Sequence, residues 1–373
     1  MKLTYGLLLS ALSALALAAP LAHDEIEQNV ASGLRLLSLE DGAEPIWKTE
    51  DEKLQLMMTG TKFFDVTETY ERKQALSAKK AKVAAKKAFP TPSHQSKVTP
   101  ILNTVSTQNM QGYLDELTSF NNRYYRASTG KAASDYIYNT VSQMASGHDG
   151  VTVSKFTHSW TQYSIVARIE GSGDGPLTII GAHMDSINQR NPTSGRAPGA
   201  DDDGTGTVNL MEDFRALLQA GFAPSTPVEF HWYSGEEAGL LGSQDIATKY
   251  SEDGVDILAF MELDMSGYFA PGSKEVFALE ADYIDKDLNN FLKNLIDTYA
   301  GIPWAMDTPC GYACSDHASW HDAGFPASFP YEAVTGDDNP NVHSANDVVA
   351  DVNWKHSLEF AKLGVAFVYE LAA

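Results

Sequence analysis

Apolar residues between Pro100 and Ser146 recur at the three-to-four-residue spacing of helices that bury one face. The polar run Asn121-Asn122-Arg123-Tyr124 interrupts them. From Val151 to Glu170 the pattern turns to the alternation of a strand, clearest over Tyr163–Ile169. Three short β-prone runs follow: Leu177–Ala182, Val228–Ser234 and Ile257–Leu263. Their near-continuous apolar character predicts strands buried on both faces. Helical spacing returns over Val208–Leu218 and over Trp354–Leu371. Strands that alternate with helices imply an α/β domain whose mostly parallel sheet is covered on both sides. No internal repeat and no linker breaks the chain after residue 88.

Each of the three apolar runs stops at a polar, metal-competent group. His183-Met184-Asp185 follows the first, Glu236-Glu237 the second and Asp264 the third. In open α/β sheets the carboxyl ends of the strands are where ligands bind. The stretch Pro198-Gly199-Ala200-Asp201-Asp202-Asp203-Gly204 sets three carboxylates side by side just ahead of a predicted helix. A divalent cation relieves their repulsion, and one carboxylate can serve two cations. The alternative is a solvated acidic turn that caps the helix. Taken alone, a histidine such as His183 is more often structural, and a pair such as Glu236-Glu237 is usually a helix start. His343 lies in the loop Asn341–Asp347, which is rich in Asn and Asp and able to fold over the same rim. No fragment is specific by itself; the order and the placement at strand ends are what point to one centre.

The beginning of the chain has a different character. Lys2, the apolar stretch Leu7–Leu17 and the small-residue site Ala16-Leu17-Ala18 predict a signal peptide over 1–18, too short to span a membrane. Residues 19–87 end in Lys79-Lys80-Ala81-Lys82 and Lys86-Lys87, which predicts a propeptide cut at dibasic sites by a processing protease. The alternative for that tract is a solvated basic helix. This leaves 88–373 as the catalytic domain, secreted and expected to act as a monomer without a membrane partner. Residues 19–87 carry 11 basic and 12 acidic groups, so the formal net charge of −22 falls on residues 88–373. That surplus repels phosphates and excludes nucleic acid as a partner. Cys310 and Cys314, the two cysteines of a chain expected in an oxidising compartment, predict one tight disulfide.

Two divalent metals sharing a carboxylate sit about 3.5–4 Å apart and activate water. Histidine with Asp and Glu suits zinc with an open position. Neighbouring residues cannot point the same way, so one of Glu236 and Glu237 is free to hold metal while the other acts as general base. Asp185, two residues past His183, is suited to orient its imidazole. The motifs Gly181-Ala182-His183-Met184-Asp185-Ser186, Pro198–Asp203, Gly235-Glu236-Glu237-Ala238-Gly239-Leu240, Leu263-Asp264-Met265 and Cys310-Gly311-Tyr312-Ala313-Cys314-Ser315-Asp316-His317 resemble the secreted di-zinc leucine aminopeptidases of bacteria and fungi. Gly60–Thr67 resembles the fungal prosegments.

The resemblance implies a zinc exopeptidase fold and two zinc ions per chain. Asp202 would bridge them, with His183 and Asp264 completing one site and Glu237 and His343 the other. Glu236 would be the general base and Asp185 the partner of His183. Tyr312 and the disulfide would line the pocket for the first side chain of a peptide with a free N-terminus, joined by Met265, Phe329, Tyr331 and Val342. The expected preference is leucine or another large apolar residue. Val334–Asp338 departs from the bulky aromatics of some relatives, which leaves the size and preference of that pocket open. Two other readings use the same fold: a single-zinc glutaminyl cyclase and a non-catalytic binding domain.

Overall fold

A computed structural model describes residues 21–40, 43–79 and 89–373. The expected signal peptide and the Lys80–Lys87 tract lie outside the described residues. The N-terminal segment runs α1 (His23–Ala31), β1 (Leu34–Ser38), β2 (Ile46–Thr49), α2 (Glu50–Thr59), β3 (Phe64–Asp65) and α3 (Tyr70–Lys79). Its strands pair antiparallel in the order β2-β1-β3. Thr49 and Glu52 cap the start of α2 reciprocally, and Gly60 ends it at a φ of 69°. A small cluster of Ile26, Leu36, Val66 and Tyr70 forms its core. Asp65, buried there, accepts Arg35 Nε at 3.0 Å and Lys53 Nζ at 2.6 Å.

This segment is docked on the rest of the chain rather than free of it. Asp65 donates its backbone N–H to Gly239 O and accepts Gln244 Nε2 at its carbonyl. Arg72 pairs with Asp245 and Glu252.

The remainder runs α4 (Gln95–Leu102), α5 (Thr107–Ser119), α6 (Ser128–Ala145), β4 (Val151–Phe156), β5 (Ser164–Ile169), β6 (Leu177–His183), α7 (Gly204–Gln219), β7 (Val228–Tyr233), α8 (Leu241–Asp253) and β8 (Ile257–Glu262). It continues with β9 (Phe277–Leu279), α9 (Lys286–Tyr299), β10 (Trp304–Met306), α10 (His317–Asp322), β11 (Ala327–Ser328), β12 (Pro330–Tyr331) and α11 (Trp354–Ala372). The large sheet has the order β11-β8-β6-β7-β5-β4, with helices on both faces.

The α/β class expected from the pattern is the one observed, but the sheet is mixed. β11, β8, β6 and β7 are parallel; β5 is antiparallel to both β7 and β4. The residues between β4 and β5 make too short a connection for a helical crossover, so the two strands form an antiparallel pair. The parallel half is the half that matters. Strands β7 and β8 follow β6 through helices α7 and α8 and lie on opposite sides of it, which opens a crevice at its carboxyl end.

Every residue of β6 is buried. Ile180 and Ala182 face the cluster under α7 and α11, while Ile179 faces the cluster with Trp320 and Ile246. A second sheet, β10-β9-β12, stands beside the crevice and carries Glu280 and Asp307 at strand ends.

Candidate metal centre

Three adjacent strand ends converge. His183 closes β6, Glu236 and Glu237 open the short 3-10 turn Glu236–Ala238 after β7, and Asp264 lies two residues past β8. The acid triplet meets them from the N-terminus of α7, and its members diverge in role. Asp203 Oδ1 accepts Gly206 N at 2.8 Å, so the helix-cap reading of the triplet holds for this one residue. Gly206 has no room for a side chain, because a Cβ there would meet Leu263 O at 2.1 Å. Asp201 points the other way and accepts Gly267 N and Asn339 Nδ2.

Asp202, between them, splits its two oxygens. Oδ1 lies 3.2 Å from His183 Nε2, and Oδ2 lies 2.9 Å from His343 Nε2. His183 Nε2 is also 3.4 Å from Asp264 Oδ1, and His343 Nε2 is 2.9 Å from Glu237 Oε2. The structure thus brings His183, Asp202, Asp264, Glu237 and His343 to one place. Burial opposes ionisation of Asp202, yet the imidazoles of His343 and His183 hold it well below the usual carboxylate range.

The donor set fits divalent metal. Both nitrogens of His183, Asp203 Oδ2 and Asp264 Oδ1 are buried without a hydrogen-bond partner. Buried polar groups left unpaired are costly, and a shared cation removes the cost. Donor atoms of His183, Asp203 and Asp264 lie within 4.8 Å of one another, as do those of Asp202, Glu237 and His343. Imidazole with carboxylate is the ligand chemistry of zinc. Asp203 was not singled out by the sequence, where nothing distinguishes the members of the triplet.

Glu236 stands beside this set, Oε2 4.0 Å from His183 Nε2, and burial pushes its carboxyl well above the ordinary range. Asp185 lies 3.6 Å from His183 Nδ1, beyond hydrogen-bond length. Its hydrogen bonds go to the backbone N–H groups of Glu236 and Glu237, at 3.0 and 3.3 Å.

Two positioning residues escaped the sequence. Arg123, fully buried, donates Nε to Met184 O at 2.7 Å, Nη2 to Gly199 O at 2.8 Å and Nη1 to Pro198 O, which ties the His183 strand end to the acid loop. Asp347 accepts the N–H of Asp201 and of Asp202 with its two oxygens. The polar interruption at 121–124 was the visible signal for the arginine; Asp347 had only its proximity to His343.

A cavity of about 360 Å³ opens from the centre. Met265, Phe329, Tyr331, Tyr312 and Val342 line it, together with the Cys310–Cys314 disulfide. Glu280, Thr335 and Asp338 line it as well, and were not expected. So does the N-terminal segment, through Met57 and Gly60–Phe63. Lys62 Nζ lies 5.5 Å from the Tyr312 ring centre. Lys62 is exposed at the cavity, and although the surrounding protein opposes its charge, Tyr312, Glu236 and Glu237 raise its pKa.

Imidazoles and carboxylates gathered at the switch point of an α/β sheet define a candidate divalent-metal centre of the kind that activates water. Comparison with known proteins agrees with that class. The profile of Peptidase family M28 matches residues 164–368. A protein of Arthroderma otae described as a probable leucine aminopeptidase is 40% identical over 383 residues, which covers 100% of this chain and 99% of that one. Leucine aminopeptidase 1 of Aspergillus niger is 42% identical over 87% of this chain and 85% of its own. Among solved structures, the LapA aminopeptidase of Legionella pneumophila superposes with a TM-score of 0.79 at 30% identity, covering 92% of this chain and 96% of that one. The chain belongs to peptidase family M28 and is a metallopeptidase.

Proposed function

We propose that this chain is a secreted aminopeptidase that holds two zinc ions and removes the first residue from peptides with a free N-terminus. The observation that carries this reading is the division of Asp202: one oxygen faces His183 and the other faces His343. A carboxylate so placed would be shared by two ions, which His183 and Asp264 would hold on one side and Glu237 and His343 on the other. When bound, the metals supply Lewis acidity to the scissile carbonyl and lower the pKa of water.

The chain's own residues do the rest. Glu236, not needed as a ligand, takes a proton from the attacking water and returns it to the departing amine. Burial raises the Glu236 carboxyl, the direction in which a carboxylate becomes a better proton acceptor. Asp185 fixes the backbone that presents Glu236. Met265, Phe329, Tyr331 and Val342 give the adjoining pocket an apolar wall suited to leucine or another large apolar side chain. The relatives' names support leucine for those proteins.

The N-terminal segment supports a second statement: it is a prosegment that fills the cleft until it is cut in the basic tract. Gly60–Phe63 line the cavity, and the charge of Lys62 is favoured by Glu236 and Glu237, the acids that a substrate's cationic amine would approach.

The test is hydrolysis of leucyl-anilide against N-acetyl-leucyl-anilide by the processed enzyme, with and without chelator, together with zinc counted per chain. Cleavage of the free substrate alone, lost to chelator and restored by about two zinc ions, is the expected result. Equal cleavage of the blocked substrate would remove the exopeptidase assignment, and one zinc at full activity would remove the two-metal mechanism.

A further inference from the structure

The pocket beside the metal centre is apolar only along its walls. Glu280, at the end of β9, is 1% exposed and lines the same cavity as Asp264 and Glu236. Its Oε1 accepts the N–H groups of Ala281 at 2.8 Å and Cys310 at 3.3 Å. Its Oε2 lies 3.1 Å from Cys310 Sγ, a bridged sulfur with no proton to give, and the neighbouring Asp282 carboxyl shares a hydrogen bond with Glu280. Among the described residues no Lys, Arg or His side chain bonds Glu280 or Asp338.

Burial, followed by the neighbouring Asp282, pushes Glu280 up to about 7, as expected of a carboxyl without a cation. Asp338 is the other acid that lines the cavity outside the metal centre, and after burial and Glu332 it is a further cause of the raised Tyr331 phenol. Val334–Asp338 is the stretch that departs from the bulky aromatics of some relatives, and it contributes Thr335 and Asp338 to the cavity. A cation also borders this cavity: the N-terminal segment places Lys62 in its lining beside Tyr312, drawn by Tyr312, Glu236 and Glu237.

We propose that Glu280 and Asp338 make this a side-chain pocket for lysine and arginine as well as for leucine. The long methylene stem of a basic residue lies along Met265, Phe329 and Tyr331, and its charged head reaches the two acids. Lysine and arginine are suited to this arrangement because their stems are apolar and only their tips need polar partners. Leucine fills the wall but brings no cation to either acid. The proposal rests on the aminopeptidase reading given above.

The experiment compares kcat/KM of the processed zinc enzyme for lysyl-, norleucyl- and leucyl-anilides. Lysine and norleucine share a stem and differ by the ammonium, so their ratio isolates the charge. Lysyl-anilide is expected within tenfold of leucyl-anilide and above norleucyl-anilide. In Glu280→Gln, in Asp338→Asn and in the double variant the lysine-to-norleucine ratio is expected to fall, at least fivefold in the double variant. Because it is a ratio, it is independent of how much of a variant folds. A purely structural role for Glu280, holding the Cys310 turn, would lower both substrates together. Lysine more than tenfold below leucine, or a ratio that changes less than fivefold in the double variant, overturns the proposal. Failure of all three free anilides would instead overturn the aminopeptidase reading, and this one with it.

Discussion

Asp185 holds Glu236 by its backbone: Oδ1 accepts the Glu236 N–H at 3.0 Å. The same carboxylate reaches Glu237 N at 3.3 Å, while His183 Nδ1 stays 3.6 Å away. Asp185 therefore anchors the turn that carries both glutamates more firmly than it orients the imidazole. Asp185→Ala is expected to lower kcat about 10- to 100-fold, the usual cost of losing a group that orients a metal site. Zinc content measured on the same sample should fall less than activity does.

The paired glutamates separate by role. Glu236→Gln keeps the shape of the side chain but cannot carry a proton, so kcat should drop by about 10²–10⁴ with both metals retained. Glu237→Ala removes a donor 2.9 Å from His343 Nε2, and one zinc should dissociate more readily. Metal analysis beside steady-state kinetics checks both. Near-normal turnover in Glu236→Gln would assign the base elsewhere.

Arg123 joins two loops through three backbone carbonyls, and it does so from a fully buried position. Arg123→Met fills similar space but leaves those carbonyls without donors. A loss of about 3 kcal/mol or more in unfolding free energy is expected, read as a lower thermal midpoint. A midpoint unchanged from the parent would show that the clamp is dispensable.

The prosegment reading predicts that uncut chain cleaves leucyl-anilide at least tenfold more slowly than chain cut in the basic tract. Lys62→Ala in the uncut chain should recover part of the difference, since it removes the ammonium beside Tyr312 but leaves the docked sheet in place. Equal rates before and after cutting would end the inhibitory role.

Acid should loosen the same segment. Burial would raise the Asp65 carboxyl, but Lys53 and Arg35 outweigh it and bring it down to about 2, from an ordinary 3.8. A depressed carboxyl stabilises the fold fully above its unfolded pKa, and the contribution disappears as pH falls through the folded value. About 2 kcal/mol is at stake between pH 4 and pH 2. Hydrogen exchange in β1 and β3 should accelerate across that window. Asp65→Asn should show the fast exchange already at pH 6.

The strand ends were legible because a buried parallel strand writes itself as an unbroken apolar run, and the first polar residue after it is local information. That is how His183, Glu236, Glu237 and Asp264 stood out. The helices starting at Gly204 and Trp354 were legible for the same reason of period. The antiparallel attachment of β5 to β7 was not, since the pairing partner of a strand is set by the path of the chain and not by its own residues.

By itself, then, the sequence determined the order of elements, the class of fold and the chemical types available at the sheet's rim, all of which depend on neighbours within a few residues. Only the tertiary structure decided which member of the triplet faces both histidines, that Arg123 and Asp347 hold the acid loop, and that Glu280, Asp338 and Lys62 share one cavity. The residues of that cavity alone lie up to 276 positions apart in the chain, from Lys62 to Asp338. Contacts over such separations arise from packing, and packing leaves no periodic trace along the chain.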